Sequence, residues 1–291
     1  MLLLWEMISC PFEDKKQDHS EVLKIIGFFI DINCGTITLT SESINNILSK
    51  IHVFLPTPDR QPCLCEWEHL GRHLNWILNV LPWGRPALSE VYCKTSGKTH
   101  NPPIFINSTI CSDLLWLTQT IPKAIDVHFI DSGFWDDSNA DFTVWTNANL
   151  SNTFACTYNN EGLIYCIHSQ TPNAEKVDIF FLELLAILSA IHYIASNFSH
   201  PPPCLLIFTN SLDSVGVFNS LSAAQPMHSS VLLGVAQVIL YSGIDLHVQH
   251  IKGKQNIKAD LLSCLLFDEF HQKFPSIRIC LFDPPCDLLP A

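Results

Sequence analysis

Basic residues are scarce. Lys and Arg number 16 against 28 Asp and Glu, for a formal net charge of −12 over 291 residues. A free-standing nucleic-acid binder gains affinity from basic side chains that release phosphate counterions, so the bulk charge argues against strong binding of that kind. Charge of either sign is also thin, at 15%, whereas apolar residues reach 47%. That balance excludes intrinsic disorder and supplies enough side chain for real hydrophobic cores. The 12 Cys include no C-x-x-C pair and follow no regular spacing, which speaks for reduced thiols rather than a disulfide framework. No secretory leader is expected either, because the opening "MLLLW" meets Glu6 after five apolar residues. Both features predict an intracellular location, in cytoplasm or nucleus. The longest apolar run, "IFFLELLAILSAIHYIA" (179–195), carries Glu183 and His192. It is short for a membrane span and reads as a buried helix, so no membrane partner is expected. Nothing in the sequence points to a small-molecule substrate.

What is present divides the chain. Two β-rich runs, Ile25–Ile32 and Thr36–Thr40, flank "NCG", a good hairpin turn. A helix follows, with Ser41 or Ser43 as N-cap and Ile44, Ile47, Leu48 and Ile51 at helical spacing. "PTPDRQP" (56–62) is a linker, and residues 50–130 read as a small helical region broken around Pro82. From Asp141 the pattern becomes a three-strand meander: "DFTVWTNA", "NTFACTYN" and "GLIYCIHS", the last two joined by "NNEG". Then come the long 179–198 helix, the strand "CLLIFTN", two helices closed by Gly243, the strand "DLHVQHI" and a last short helix from Asn256. The order β-β-β-α-β-α-α-β-α predicts an α/β fold with a mixed five-stranded sheet and flanking helices. Its switch point falls between the first and fourth strands, where ligands bind at the carboxyl ends.

Four polar residues converge on that switch point. Asn147 ends the first strand and Asn210 the fourth. Glu183, in the first full turn of the long helix, shares a face with Ile187 and Ala190 that packs on the sheet. Asp260 opens the last helix, beside the fifth strand. A carboxylate on a buried stripe costs several kcal/mol, roughly, unless it is paired or bound to metal. Taken alone, each residue has a plainer reading. The asparagines suit strand-end turns, Glu183 can pair with Lys176, and Asp260 can be surface charge. Cys63, Cys65, His69 and His73 form a C-x-C…H-x₃-H set, but C-x-C is poor spacing for structural zinc, and packing within the helix core is expected instead. Asn107 and Asn149 match glycosylation acceptors by chance. Lys252, Lys254 and Lys258 cluster near the last strand and helix, as a solvated face or as contacts to a phosphate backbone.

These stretches resemble a known family. "FTNSLDSV" (208–215), "HIKGKQNIKADLLSCL" (250–265) and "FLELLAILSAIHY" (181–193) resemble the T-D-N strand end, the H-x-x-G-x-x-N-x-x-A-D-x-L-S-R segment and the E-x-x-A helix of retroelement ribonuclease H domains. Residues 13–43 resemble the end of a reverse-transcriptase palm with its L-G-F hairpin and the start of the thumb. Residues 69–98 resemble the connecting helices of the same polyproteins. "FDEFHQKFP" and "LFDPPCDLL" resemble the spacer before a tyrosine recombinase in fungal retrotransposons. The resemblance implies a palm-end and thumb remnant (1–55), a helical connection (56–138), a ribonuclease H-like domain (139–267) and a spacer tail (268–291). For the family it implies Mg²⁺ as cofactor, an RNA–DNA hybrid as partner, and a catalytic set at Asn147, Glu183, Asn210 and Asp260.

The departures decide the expected activity. The family site uses four carboxylates to hold two divalent ions for phosphodiester hydrolysis. Here the first and third positions are Asn147 and Asn210, so the formal charge falls from −4 to −2. Glu183 and Asp260 alone remain as metal-binding carboxylates, with weak affinity if any. Asp213 is better read as a first-turn helix charge than as a substitute ligand. Cys264 replaces the Arg that follows the family's Ser. No Y-x-D-D motif occurs, so polymerisation by this chain is not expected. The expectation is a transposable-element remnant, a pseudoenzyme lacking nuclease and polymerase activity. The alternatives are an active metal-dependent hybrid endonuclease and a non-catalytic nucleic-acid-binding or interaction scaffold.

Overall fold

The structure is a computed structural model, and it describes residues 20–124, 127–128, 135–150, 153–158, 160–166 and 178–282. The expected Lys176, the "NNEG" turn at Asn159 and the tail beyond Phe282 lie outside them. The amino-terminal part opens on a small antiparallel sheet of β1 (Val22–Ile25), β2 (Phe28–Asp31) and β3 (Thr36–Leu39), joined by the later β4 (Val127–His128). The run expected as one strand from Ile25 to Ile32 is in fact split. Ile26 and Gly27 both hold positive φ, at 46° and 82°, which is the backbone of a tight two-residue hairpin turn. Helix α1 (Ser41–Phe54) follows. Its N-cap is Thr40 rather than Ser41 or Ser43; the Thr40 hydroxyl accepts from the Ser43 amide at 3.2 Å.

Helices α2 (Leu64–Ile77), α3 (Ser89–Thr95) and α4 (Ser108–Thr120) form the helical region. A 3₁₀ stretch, Pro82–Leu88, makes the expected break. Buried Ile47, Ile51, Trp67, Leu70, Leu74, Ile110, Leu114 and Leu117 build one core here. The region is not purely helical to residue 138, because β4 returns to pair with β3 at Thr36↔His128 and Ile37↔Val127. Asn107 is explained as a helix cap: its side chain accepts from the Ile110 amide at 2.9 Å.

The second sheet is mixed and six-stranded. Strands β5 (Phe142–Asn149), β6 (Thr153–Tyr158) and β7 (Glu161–Cys166) form the meander, β8 (Cys204–Thr209) and β9 (Asp245–His250) extend it, and β10 (Arg278–Leu281) completes it. The spatial order is β10-β7-β6-β5-β8-β9. Strand β5 pairs antiparallel with β6 and parallel with β8, so the switch point lies between the first and fourth strands of this sheet, as the sequence predicts. Helix α5 (Ile179–Asn197) covers one face with α7 (Pro226–Ser242), while α6 (Leu212–Ser220) lies over β8 and β9. By length and composition α5 is apolar enough to cross a membrane. Leu182, Leu184, Leu185, Ile187, Leu188 and Ile191 are instead packed into the sheet's core. Helix α7 is apolar on two sides for a reason. Val231, Leu232 and Val235 face the sheet's core, and Leu233 and Leu240 face the helical core. Trp116 Nε1 donates to Gln237 Oε1 at 3.0 Å across that second contact.

The sixth strand corrects the five-stranded expectation and the boundary at 267/268. Helix α8 (Ile257–Ser263) is followed by α9 (Phe267–Lys273), which turns the chain back so that β10 pairs parallel with β7. Phe270 is fully buried against Ala155, Ile164, Leu261, Leu262 and Ile277. Up to Phe282 the supposed spacer is therefore part of the packed unit.

Candidate functional site

Asn147 lies within β5 rather than at its end. The parallel ladder to β8 stops at Thr146↔Thr209, but β6 keeps pairing with β5 through Asn147↔Ala155 and Asn149↔Thr153. Asn147 thus stands at the first register position beyond the parallel pair, with a buried side chain. Its Nδ2 donates to Asp260 Oδ1 at 3.1 Å and to Ser263 Oγ at 2.8 Å. Both acceptors sit on α8, which packs on β5 and β6. Asn256 fixes the start of that helix by donating from Nδ2 to the Thr146 carbonyl at 2.8 Å.

Glu183 comes from the other side. Helix α5 begins at Ile179, capped by Asp178, so Glu183 falls beyond the first turn. Its carboxyl is buried and accepts from the Ala148 amide and the Thr209 hydroxyl. Burial pushes this acid up to about 7, against the downward pull of those two donors. Asn210 directly follows Thr209 at the end of β8. Asp260 thus contacts Asn147, and Glu183 is held by the neighbours in sequence of Asn147 and Asn210 at the carboxyl ends of β5 and β8.

Three acceptor oxygens at this site are buried with no hydrogen-bond partner among the described residues: Asn147 Oδ1, Glu183 Oε2 and Asn210 Oδ1. A hard cation would be served by such oxygens, but charge sets the limit. The Asn147 amide cannot turn its oxygen toward Asp260 without losing two acceptors, because a carboxylate offers no proton. Its N–H group therefore faces Asp260 from the position where the resemblance implies a second acid. With Glu183 titrating near 7, the set carries at most two negative charges. That can balance one divalent ion and falls short of two, so a pair of Mg²⁺ ions does not fit these residues.

Other expected positions divide. Asp213 is exposed on the first turn of α6. Lys252 and Lys254 are exposed, and Lys258 Nζ lies 5.4 Å from the centre of the Phe274 ring on the α9 side. Asn149 Nδ2 donates to Cys264 Sγ at 3.2 Å, so Cys264 is tied to the sheet rather than offered outward. Cys63, Cys65, His69 and His73 are not core residues. They sit at the start and outer side of α2, whose buried face is Leu64, Trp67, Leu70, Leu74 and Ile77. Sequence reasoning missed Thr209 and Ser263, whose hydroxyls complete the site. Each is adjacent to or within a quoted motif, and that proximity was the available signal.

No protein-family model matches the chain, and no curated protein sequence does. Among solved structures, the ribonuclease H1 of the halophilic archaeon Halobacterium salinarum aligns with 44% of this chain and 98% of its own, at 12% identity and a TM-score of 0.34. An LC11 ribonuclease H1 in complex with an RNA/DNA hybrid aligns over the same shares at 15% identity and 0.35. A foamy viral protease-reverse transcriptase in complex with double-stranded DNA aligns with 80% of this chain at 17% identity and 0.33, and this chain spans 38% of its length. At TM-scores this low the functional reading rests on the residues of the site itself.

Proposed function

We propose that this chain is a retrotransposon-derived fragment of reverse-transcriptase and ribonuclease H type whose nuclease site no longer cleaves. The upstream sheet and helices are then the palm-end and connection remnants, and the fungal tyrosine-recombinase class of element is the assignment suggested by the 267–289 stretch. The strand order, the four site positions and the motifs in sequence support the reading. The observation that carries it is the amide of Asn147 donating to Asp260 at 3.1 Å, a neutral donor in place of a second acid bridged by metal. Two-metal hydrolysis needs both ions to stabilise the attacking and leaving oxygens, and the remaining charge does not hold both.

The test is a cleavage assay on a labelled RNA–DNA hybrid with Mg²⁺ and with Mn²⁺. No cleavage above background is expected from the full chain. Cleavage abolished by Glu183→Gln would establish the active-endonuclease reading instead. The exposed Lys252 and Lys254 favour a second reading, a hybrid-binding scaffold, which salt-dependent binding without cleavage would support.

A further inference from the structure

A second constellation lies at the opposite end of the same sheet. Cys204 begins β8 and Asp245 begins β9, and the two are direct cross-strand partners. His247 follows Asp245 by two residues, so it shares the same face. Leu205 and Ile207 point into the core beneath α5 and α7, which leaves Cys204 on the other face. The ligand atoms of Cys204, Asp245 and His247 all lie within 4.8 Å of one another, the one such trio found among the described residues. His247 Nε2 and Asp245 Oδ2 are 3.1 Å apart. Cys204 and Asn210 sit at opposite ends of a six-residue strand, roughly 20 Å apart, so this cluster is separate from the Asn147 site.

Its surroundings are ordered around the three side chains. The Trp135 indole stacks on the His247 ring, with centroids 3.8 Å apart and planes 9° from parallel. The same indole donates Nε1–H to Cys204 Sγ at 3.2 Å. Asp141 accepts the Cys204 backbone amide at 2.9 Å and adds negative charge nearby. Gln249 Nε2 reaches Asp137 Oδ1 at 2.7 Å, which fastens the segment carrying Trp135 over β9. One thiol, one imidazole and one carboxylate are the donor types that zinc-like ions take together, whereas magnesium prefers oxygen alone. Tetrahedral zinc with bonds of about 2.0–2.3 Å requires ligand separations of about 3.3–3.8 Å. The observed separations, all within 4.8 Å, exceed that range by at most about 1.5 Å.

We propose that Cys204, Asp245 and His247 form a three-ligand site for a zinc-type divalent cation, roofed by Trp135. On loading, the Cys204 thiol proton leaves to solvent as the sulfur–metal bond forms, and no oxidation or reduction takes place. The ion cross-links the first residues of β8 and β9 and holds the 135–141 segment against the sheet's free edge. Asp245 is well exposed, which gives the ion a path in.

The experiment is a Co²⁺ titration of the full chain followed by absorption. One Co²⁺ per chain should bind with a near-ultraviolet thiolate-to-cobalt band and the visible bands of a tetrahedral ion, and Zn²⁺ should displace it. Cys204→Ser should lose the near-ultraviolet band. His247→Gln should weaken binding at least about tenfold. Glu183→Gln with Asp260→Asn should leave the titration unchanged. The partly exposed strand positions of His247 and Asp245 keep His247→Gln and Asp245→Asn informative if Cys204→Ser misfolds, with circular dichroism as the check. A wild-type titration without a thiolate band would overturn the proposal. So would a band that survives in folded Cys204→Ser, because another of the 12 cysteines would then hold the ion.

Discussion

Asn147 Nδ2 and Asp260 Oδ1 are 3.1 Å apart, joining a strand to a helix 113 residues later in the chain. The contact uses the amide as a donor, and that polarity orients the whole carboxyl-end cluster. Replacing the amide by an acid should reverse it. Asn147→Asp together with Asn210→Asp places like charges at this site, and without divalent ions it should cost about 1–3 kcal/mol of stability. Millimolar Mg²⁺ or Mn²⁺ should restore the melting temperature of the double variant by binding its folded state, while the wild-type chain shows little metal dependence. Equal metal responses from both proteins would show that the asparagines do not limit cation binding.

Glu183 gives a pH signature. Its folded-state value, near 7, lies above the ordinary Glu value of 4.5. The folded chain therefore holds this proton more tightly than the unfolded chain does. Stability should fall as pH rises from about 4.5 to about 7, by up to about 3 kcal/mol from this group, and level off above. Glu183→Gln should flatten that window. Denaturant midpoints across pH 4–8 for both proteins measure it, and parallel profiles would rule out the burial argument.

Phe270 tests the corrected boundary. It is fully buried between α9 and the sheet. Phe270→Ala should cost about 3–5 kcal/mol, and truncation before residue 267 should destabilise the sheet similarly. An unchanged melting temperature after truncation would restore the spacer reading.

Gly27 tests the upstream hairpin. Its φ of 82° suits glycine, and an added Cβ would stand 2.5 Å from Ser43 Oγ and 2.7 Å from the Trp76 ring. Gly27→Ala should therefore destabilise by more than about 1 kcal/mol, read as an earlier urea midpoint.

Asp178 tests the entry to α5. It caps the helix by accepting the Phe181 amide at 2.7 Å and pairs with buried His228 at 3.1 Å. Asp178→Ala should cost about 1–2 kcal/mol, whereas Asp178→Asn should retain most of the cap. Thermal melts of the two variants separate the cap from the His228 hydrogen bond.

Local chemistry in the sequence was enough to place the meander, the long apolar helix and the Gly243 helix end. Period-two and helical spacing set those elements regardless of distant partners. The fate of residues 268–282 was not legible, because Phe267, Phe270 and Phe274 show an apolar helical face without showing what covers it. The β4 return was hidden for the same reason: two residues carry no pattern, and only β3 makes them a strand. Cys204, Asp245 and His247 were equally silent, since 41 residues separate the cysteine from its cross-strand partner.

The sequence by itself determined which side chains stand at each position, and so that two amides occupy places where acids were expected. Only the tertiary structure decided that the Asn147 nitrogen, rather than its oxygen, faces Asp260. That choice depends on acceptors supplied by a helix far along the chain, and hydrogen-bond polarity is a property of the packed pair rather than of either residue alone.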